Sequence, residues 1–466
     1  MQTGHVKARW GAVMAQLPAV ALGATEQEQA LNAFARELDS LKKWLLVHRP
    51  QDAFMAVGAQ QPYYLAYIEA NHRERLGKYG GICASLMDDW ARQVGVPKPV
   101  AAAAKRQRVG IVSAHIQNHS VWNAITRGWV AHLDLQRFEL QLFHTGNERD
   151  AETEWAARRV SRLHHGLGDW TAWAKAISDE HFDVLIYPEV GMDSTTTRLA
   201  SLRLAPHQWA SWGHPVTTGL PTIDAYLSAE AFEPEGAQQH YTERLISLPR
   251  LGCACRTFNT GAREIDLADW RIGPDDRILL CPGVAFKYAP RDDPLLVEVA
   301  RRCRPCKLVF FSTPDDFKAA LLERRLRTAF AQSGLQFDDC VRFIPWQPQD
   351  RFFGLLRRAD VVLDSAGFSG FNTTMQAIEC DAPIVAWDGK FMRGRFAAAI
   401  LRELGLGEWV VNSVADFADR AESLCTDTVL RRDVQRRIRE NKHRLFSDKG
   451  VVDELAAHLQ AAQAAA

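Results

Sequence analysis

The stretch "GFSGFNTTMQAIECDAPIVAWDG" (367–389) places two glycines, a serine, an asparagine and two threonines ahead of a helical pattern that runs into an apolar segment. A helix start exposes backbone N–H groups that lack internal partners, and glycines and short hydroxyls allow close approach. Those are the requirements of a phosphate. Lys287, in "CPGVAFKYAP" (281–290), follows another apolar run. A lysine, a helix N-terminus and hydroxyls together suit a diphosphate. The P-loop spacing and the G-x-G-x-x-G fingerprint are both missing, which speaks against a kinase or a dehydrogenase. No Asp-x-Asp occurs in the chain. Neutralisation by lysine and backbone dipoles is therefore expected, with no metal and no cofactor.

Further candidates lie in the first half. "SAHIQNHSVW" (113–122) holds His115 and His119 in a strand-to-helix turn. Either histidine is placed to meet a ligand, and equally to cap the helix or bond a carbonyl. "YPEVGMDSTTT" (187–197) puts Glu189 and Asp193 at a strand end. Glu189 reads as a general base or as an acceptor for neighbouring backbone N–H groups. "WASWGHPVTTGLPTIDAYL" (209–227) then supplies His214, Thr217, Thr218 and Gly219. Cys303-x-x-Cys306 resembles half a zinc knuckle, but no second pair follows at ligand spacing.

The elements that position these residues are legible from apolar patterning. Residues 1–100 read as helical: Thr25-x-x-Glu28 has the form of a capping box, and Leu31, Phe34, Leu38, Leu41 and Leu45 follow at helical spacing. A second helical stretch is expected over 63–95, and a Pro/Ala/basic connector over 96–108. Short apolar strands then alternate with helices, at 109–114, 138–144, 183–190 and 207–213. After a looser region, 250–272, the pattern restarts at 277–283, 307–313, 341–346, 360–366 and 383–387. Alternation of this kind predicts parallel sheets covered on both faces, with ligands at the strands' carboxyl ends. Lys318, in the helix expected at 315–333, reads as an exposed surface lysine. The expected division is a helical region 1–100 and α/β units at 106–255 and 272–445, the second ending in a helix.

Composition bounds the rest. The 466 residues include 56 Lys+Arg and 56 Asp+Glu, so no global field favours nucleic acid or an anionic membrane. No run of about 18 apolar residues suggests a membrane span, and the mildly apolar N-terminus, broken by Gln16 and Pro18, does not read as a secretory signal. Nine cysteines, several in apolar runs, suit a reducing cytoplasm better than a disulfide framework.

Residues from about 109 to 410 resemble the catalytic region of the O-GlcNAc transferase family, glycosyltransferase family 41. The likeness is strongest to its bacterial members, including those related to SPINDLY and to the cytoplasmic adhesin glucosyltransferases. "VGIVSAHIQNHSVWNAI", "WASWGHPVTTGLPTIDAYLSAEAFEPEGAQQHYTERLISLP", "FKYAP" and "GFSGFNTTMQAIECDAPIVAWDGKFMRGRFAAAIL" carry it. The resemblance implies a GT-B fold, two Rossmann-like domains facing a cleft. It implies inverting transfer of GlcNAc or another hexose from a UDP-sugar to a polypeptide, without metal. His119 matches the family's active-site histidine, and Lys287 matches the lysine that holds the nucleotide diphosphate. Gly370, Phe371, Asn372, Thr373, Thr374 and Gln376 fall at the helix start that meets phosphates and ribose. The animal enzymes carry a histidine where Phe371 or Asn372 stands, and relatives carry an acidic residue at the position of Gln376. Their long tetratricopeptide array is replaced here by about 100 helical residues. A GDP-fucose-using protein fucosyltransferase and a non-catalytic protein-binding module of the same fold are the alternatives.

Overall fold

The computed structural model describes residues 5–100, 105–258, 261–313 and 316–464. Its first sheet comprises β1 (Gln107–Ser113), β2 (Phe138–His144), β3 (Arg162–His165), β4 (Val184–Tyr187), β5 (His207–Ser211), β6 (Ala225–Ala229) and β7 (Arg244–Leu248). All are parallel, in the order β3-β2-β1-β4-β5-β6-β7. The second comprises β8 (Arg277–Leu280), β9 (Cys306–Ser312), β10 (Val341–Pro345), β11 (Val361–Leu363), β12 (Ile384–Trp387) and β13 (Val410–Val411). It is parallel throughout, in the order β10-β9-β8-β11-β12-β13. Helices cover both sheets, and strands such as β4 are buried at every position, as parallel sheets require. This is a GT-B architecture with a helical N-terminal region.

Strand order reverses between β1 and β4 in one sheet and between β8 and β11 in the other. At such switch points the adjacent loops part and leave a crevice. The loops after β1 and β4 carry His115, His119 and Glu189; those after β8 and β11 carry Lys287 and the 367–370 segment. An aromatic cluster joins the two units beside these crevices. Phe371 packs edge-on to Trp212 (4.9 Å between ring centroids) and Phe396 edge-on to Phe232 (4.9 Å).

Several elements differ from expectation. The 25–28 capping box does not form, because Thr25 lies inside the helix Ala24–His48 and Gly23 is its N-cap. Glu26 instead accepts from the backbone N–H of Leu22 at 2.6 Å. The apolar stripe Leu31, Phe34, Leu38, Leu41, Leu45 is buried as its spacing predicts. Residues 63–95 divide into a 3₁₀ turn, Tyr63–Tyr67, and a helix, Arg73–Val94, closed by Gly95 in the left-handed conformation. β3, β6, β7 and β13 escaped the strand reading: β3 is "RLHH", β13 has two residues, and β6 sits inside a Gly/Pro/Thr-rich stretch. A further helix, Lys449–Ala464, lies past the expected end at 445. It returns to the first unit, where Gln107 Nε2 donates to the Leu459 carbonyl at 2.7 Å. Among the described residues no helix is long and apolar enough to cross a membrane.

The helical N-terminal region is a bracket across both units. On the second unit, Arg393 donates to the carbonyls of Ile68 (2.9 Å) and Ala70 (2.8 Å), and Arg325 donates to that of Ala21 (2.9 Å). On the first, Arg198 donates to the Val57 carbonyl at 2.7 Å. Here the Arg73–Val94 helix also meets the 217–220 loop backbone to backbone. A Cβ on Gly80 would lie 2.1 Å from the Gly219 carbonyl oxygen, and one on Gly219 (φ +70°) 1.9 Å from that of Leu76.

Gly219→Ala should therefore unseat the bracket. The left-handed backbone alone costs about 1–3 kcal/mol for a non-glycine residue, and the collision adds to it. A lowered denaturation midpoint with unchanged slope is the expected result, read from urea unfolding followed by far-UV circular dichroism; an unshifted midpoint contradicts the contact.

Candidate active site

Lys287 ends a short 3₁₀ turn, Ala285–Lys287, after β8. Its ammonium reaches toward the Ser369 carbonyl (3.5 Å) and lies 4.9 Å from the centre of the Phe368 ring. It also overhangs the start of the helix Phe371–Glu379: a Cβ on Gly370 would be 3.8 Å from Nζ and 3.3 Å from Thr373 Cβ. Gly370 is thus where the backbone must leave room. No side chain caps this helix. Its first intrahelical bond runs from the Thr374 N–H to the Gly370 carbonyl at 3.0 Å. The N–H groups of Phe371, Asn372 and Thr373 precede that bond and form the positive end of the helix.

Asp364, at the end of β11, was not singled out from the sequence. Its Oδ1 accepts from the Gly370 N–H at 3.1 Å and its Oδ2 is buried without a partner. Burial lifts its carboxyl to about 6, against hydrogen bonds from Ser369 and Gly370 and the charge of Lys287. Burial likewise lowers Lys287 to about 8, with Asp364 opposing. The lysine is therefore charged at neutral pH but poorly compensated. A position of this kind is stabilised by an arriving anion.

From the other unit, His119 enters the same cleft. A cavity of about 280 Å³ is lined by Asn118, His119 and Ser120 on one side and Asn372, Thr373 and Gln376 on the other. Its remaining wall holds Phe311, Trp346, Gln347 and Phe352. The Phe311 ring meets those of Trp346 and Phe352 edge-on at 5.9 and 5.7 Å. Asn372 Nδ2 approaches the Ser120 carbonyl across the cleft at 3.5 Å. His119 stacks on His115 with 3.8 Å between ring centres, and burial lowers both imidazoles to about 4. Both are neutral at pH 7. His119 Nδ1 accepts the Val121 N–H at 3.2 Å, so its proton resides on Nε2. It is set to donate a hydrogen bond.

Other sequence candidates have different surroundings. Glu189 is fully buried, its Oε1 taken by the Ala114 N–H at 2.8 Å, and burial with nearby Asp193 lifts it to about 8. A protonated, enclosed carboxyl is not placed to take a proton in the cleft. Thr217 and Thr218 bind the buried Glu243 carboxylate (Thr217 Oγ1 at 2.5 Å, Thr218 N–H at 2.8 Å), and Gly219 serves the bracket contact. His214 is buried against the Tyr63 ring. Phe371 belongs to the inter-unit aromatic cluster, and the Thr374 side chain is buried. None of these seven lines the His119 cavity. The structure thus brings His119, Asn372, Thr373 and Gln376 to one cavity, with Lys287 and Gly370 adjoining it at the helix start. Lys318 is not a detached surface lysine, since its ammonium lies 5.5 Å from the centre of the Phe286 ring, next to Lys287.

A family model described as glycosyl transferase family 41 matches residues 317–455, a stretch that includes the Gly370–Gln376 helix start. That stretch of the chain is similar to glycosyl transferase family 41. The chain is similar to a probable UDP-N-acetylglucosamine–peptide N-acetylglucosaminyltransferase, SEC, of Arabidopsis thaliana, 24% identical over 74% of this chain and 36% of the plant protein. It is also similar to the UDP-glucose:protein N-beta-glucosyltransferase of Actinobacillus pleuropneumoniae serotype 5b, 22% identical over 55% of this chain and 40% of that protein. The chain thus spans little more than a third of the length of these curated relatives. A lysine-to-methionine variant of the Thermobaculum terrenum O-GlcNAc transferase shares the fold, with a TM-score of 0.70 and 19% identity over 99% of this chain and 98% of that one.

The lowered Lys287 gives this site a pH signature. Its charged fraction falls as pH rises through about 8, while Asp364, at about 6, is already ionised above neutrality. Affinity for a diphosphate anion measured by calorimetry should therefore drop roughly tenfold between pH 7 and 9, in proportion to the charged fraction. In Lys287→Arg the profile should be flat, because a guanidinium stays charged. A flat profile in the native protein contradicts the assignment.

Proposed function

We propose that the protein is an inverting, metal-independent glycosyltransferase that moves a hexose from a UDP-sugar to a polypeptide side chain. The observation that carries this reading is an uncapped helix start that holds Lys287 at Ser369–Gly370 and whose Asn372 and Thr373 share a cavity with a neutral histidine from the opposite unit. The names of the relatives from Arabidopsis and Actinobacillus both describe UDP-sugars and peptide or protein acceptors, which favours that donor and acceptor class.

In this reading the diphosphate lies between the Lys287 ammonium and the N–H groups at 371–373. The base rests against Phe311, Trp346 and Phe352, and Gln376 faces the nucleoside. The acceptor attacks the anomeric carbon in line and releases its proton to water. The bond to the departing phosphate oxygen breaks, and negative charge gathers on the diphosphate. Lys287 and the helix dipole stabilise that charge more in the transition state than in the ground state, which is what raises a rate. His119 acts through its Nε2–H as a hydrogen-bond donor to the reacting oxygens. Nine cysteines, all free and buried, suit a reducing compartment, so the proposed location is the cytoplasm.

Lys287→Ala should fold normally and still bind UDP, more weakly, while transfer falls by about 10²–10³. Lys175, exposed and paired with Asp179, is the neutral control. Mass added to proteins in a lysate, with nucleotide release across a panel of sugar nucleotides that includes GDP-fucose, reads both donor choice and rate. Near-native transfer by the alanine variant contradicts the reading.

Activity is also expected to survive EDTA. Loss that manganese or magnesium restores would mean that a cation, and not Lys287, carries the leaving-group charge.

A further inference from the structure

The bracket contributes more than packing. Its 3₁₀ turn Tyr63–Tyr67 enters the space between the His214 loop of the first unit and the Lys287 loop of the second. The Tyr63 ring stacks on His214, with centroids 5.2 Å apart and planes at 16°. The Tyr67 ring stacks on Phe368 (4.3 Å, 21°), the same ring that lies beneath the Lys287 ammonium. Phe286, the residue before Lys287, meets the edges of Tyr63 and Tyr67 at 6.2 and 4.6 Å. The two tyrosine hydroxyls touch each other at 2.8 Å.

That arrangement has a chemical consequence. When one phenol donates to the other, the second keeps a proton and both keep acceptor capacity. Both rings are only partly buried, so the hydroxyl pair is not sealed inside the core. Burial raises the titration of both phenols, which keeps them neutral. The result is a fixed donor–acceptor pair on aromatic supports, one of which, Phe368, also carries the ammonium assigned to the diphosphate. A sugar esterified to the terminal phosphate has to lie beside that ammonium, and its ring hydroxyls call for this kind of pairing.

We propose that Tyr63 and Tyr67 form a wall of the donor-sugar site, hydrogen-bonding the hydroxyls of the transferred hexose and helping to select it. This rests on the glycosyltransferase reading above. It also gives the N-terminal region a part in donor recognition, beyond holding the two units.

The test compares UDP with UDP-glucose and UDP-N-acetylglucosamine by calorimetry, for the native protein and for Tyr63→Phe, Tyr67→Phe and the double variant. Phenylalanine keeps the ring stacking, and circular dichroism checks the fold. UDP affinity should stay within about twofold of native. The ratio of UDP-sugar to UDP affinity should change by roughly five- to twenty-fold, with altered discrimination between the two sugars, as expected when a hydrogen bond to a substrate hydroxyl is removed. Unchanged ratios in all three variants overturn the tyrosine assignment and leave the transferase reading intact. Native protein that binds neither UDP nor any UDP-sugar overturns both.

Discussion

An ammonium held among protein groups, beside the open end of a helix, is the constraint on which this molecule is built. Lys287 has one carboxylate nearby, Asp364, and that carboxylate is itself pushed toward neutrality by burial. Neither charge is fully answered within the protein. Such an arrangement costs stability when empty and is relieved by an anion. The surrounding geometry keeps the space open. Gly370 has no Cβ to fill it, the helix Phe371–Glu379 has no side-chain cap to occupy its N–H groups, and Phe368 supports the lysine from a ring face.

The remainder of the fold brings a second surface to that charge and fixes it there. The two parallel sheets turn their switch-point crevices toward a common cleft. The Trp212–Phe232–Phe371–Phe396 cluster closes the junction between the units. The N-terminal bracket then spans both, through main-chain carbonyls gripped by Arg198, Arg325 and Arg393. Carbonyl acceptors make these attachments depend on backbone position, so motion between the units must strain the bracket. The proposed sugar wall belongs to the same bracket, which ties the spacing of the cleft to the shape of the site.

Much of this was legible in the sequence, for identifiable reasons. Buried parallel strands are short apolar runs, so β2 and most others stood out, and an apolar stripe at helical spacing marked the helix Ala24–His48. The helix start at 367–374 was legible because glycines and hydroxyls ahead of a helical pattern are local features. What escaped depends on tertiary contact. Phe371 and Thr374 share a helix start with Asn372 and Thr373, yet the helical twist turns their side chains into the interior. Thr217, Thr218 and Gly219 looked like ligand-loop residues because a buried carboxylate partner, Glu243, and a facing helix demand the same small, polar types. Asp364 had a local signal, an acidic residue at a strand end, but its proximity to Lys287 arises only when β8 and β11 pair. The Tyr63–Tyr67 turn looked like helix because its tyrosines and leucine keep helical spacing.

The central claim is that the ammonium of Lys287 and the start of the Phe371–Glu379 helix jointly hold a nucleoside diphosphate. A crystal structure of the protein with UDP tests it most directly. The account predicts the diphosphate between Lys287 Nζ and the N–H groups of Phe371, Asn372 and Thr373, with the uracil against Trp346 and Phe352. A diphosphate seated elsewhere contradicts it. One alternative location is the groove of about 820 Å³ that Arg263, Arg271, Arg357 and Arg358 line.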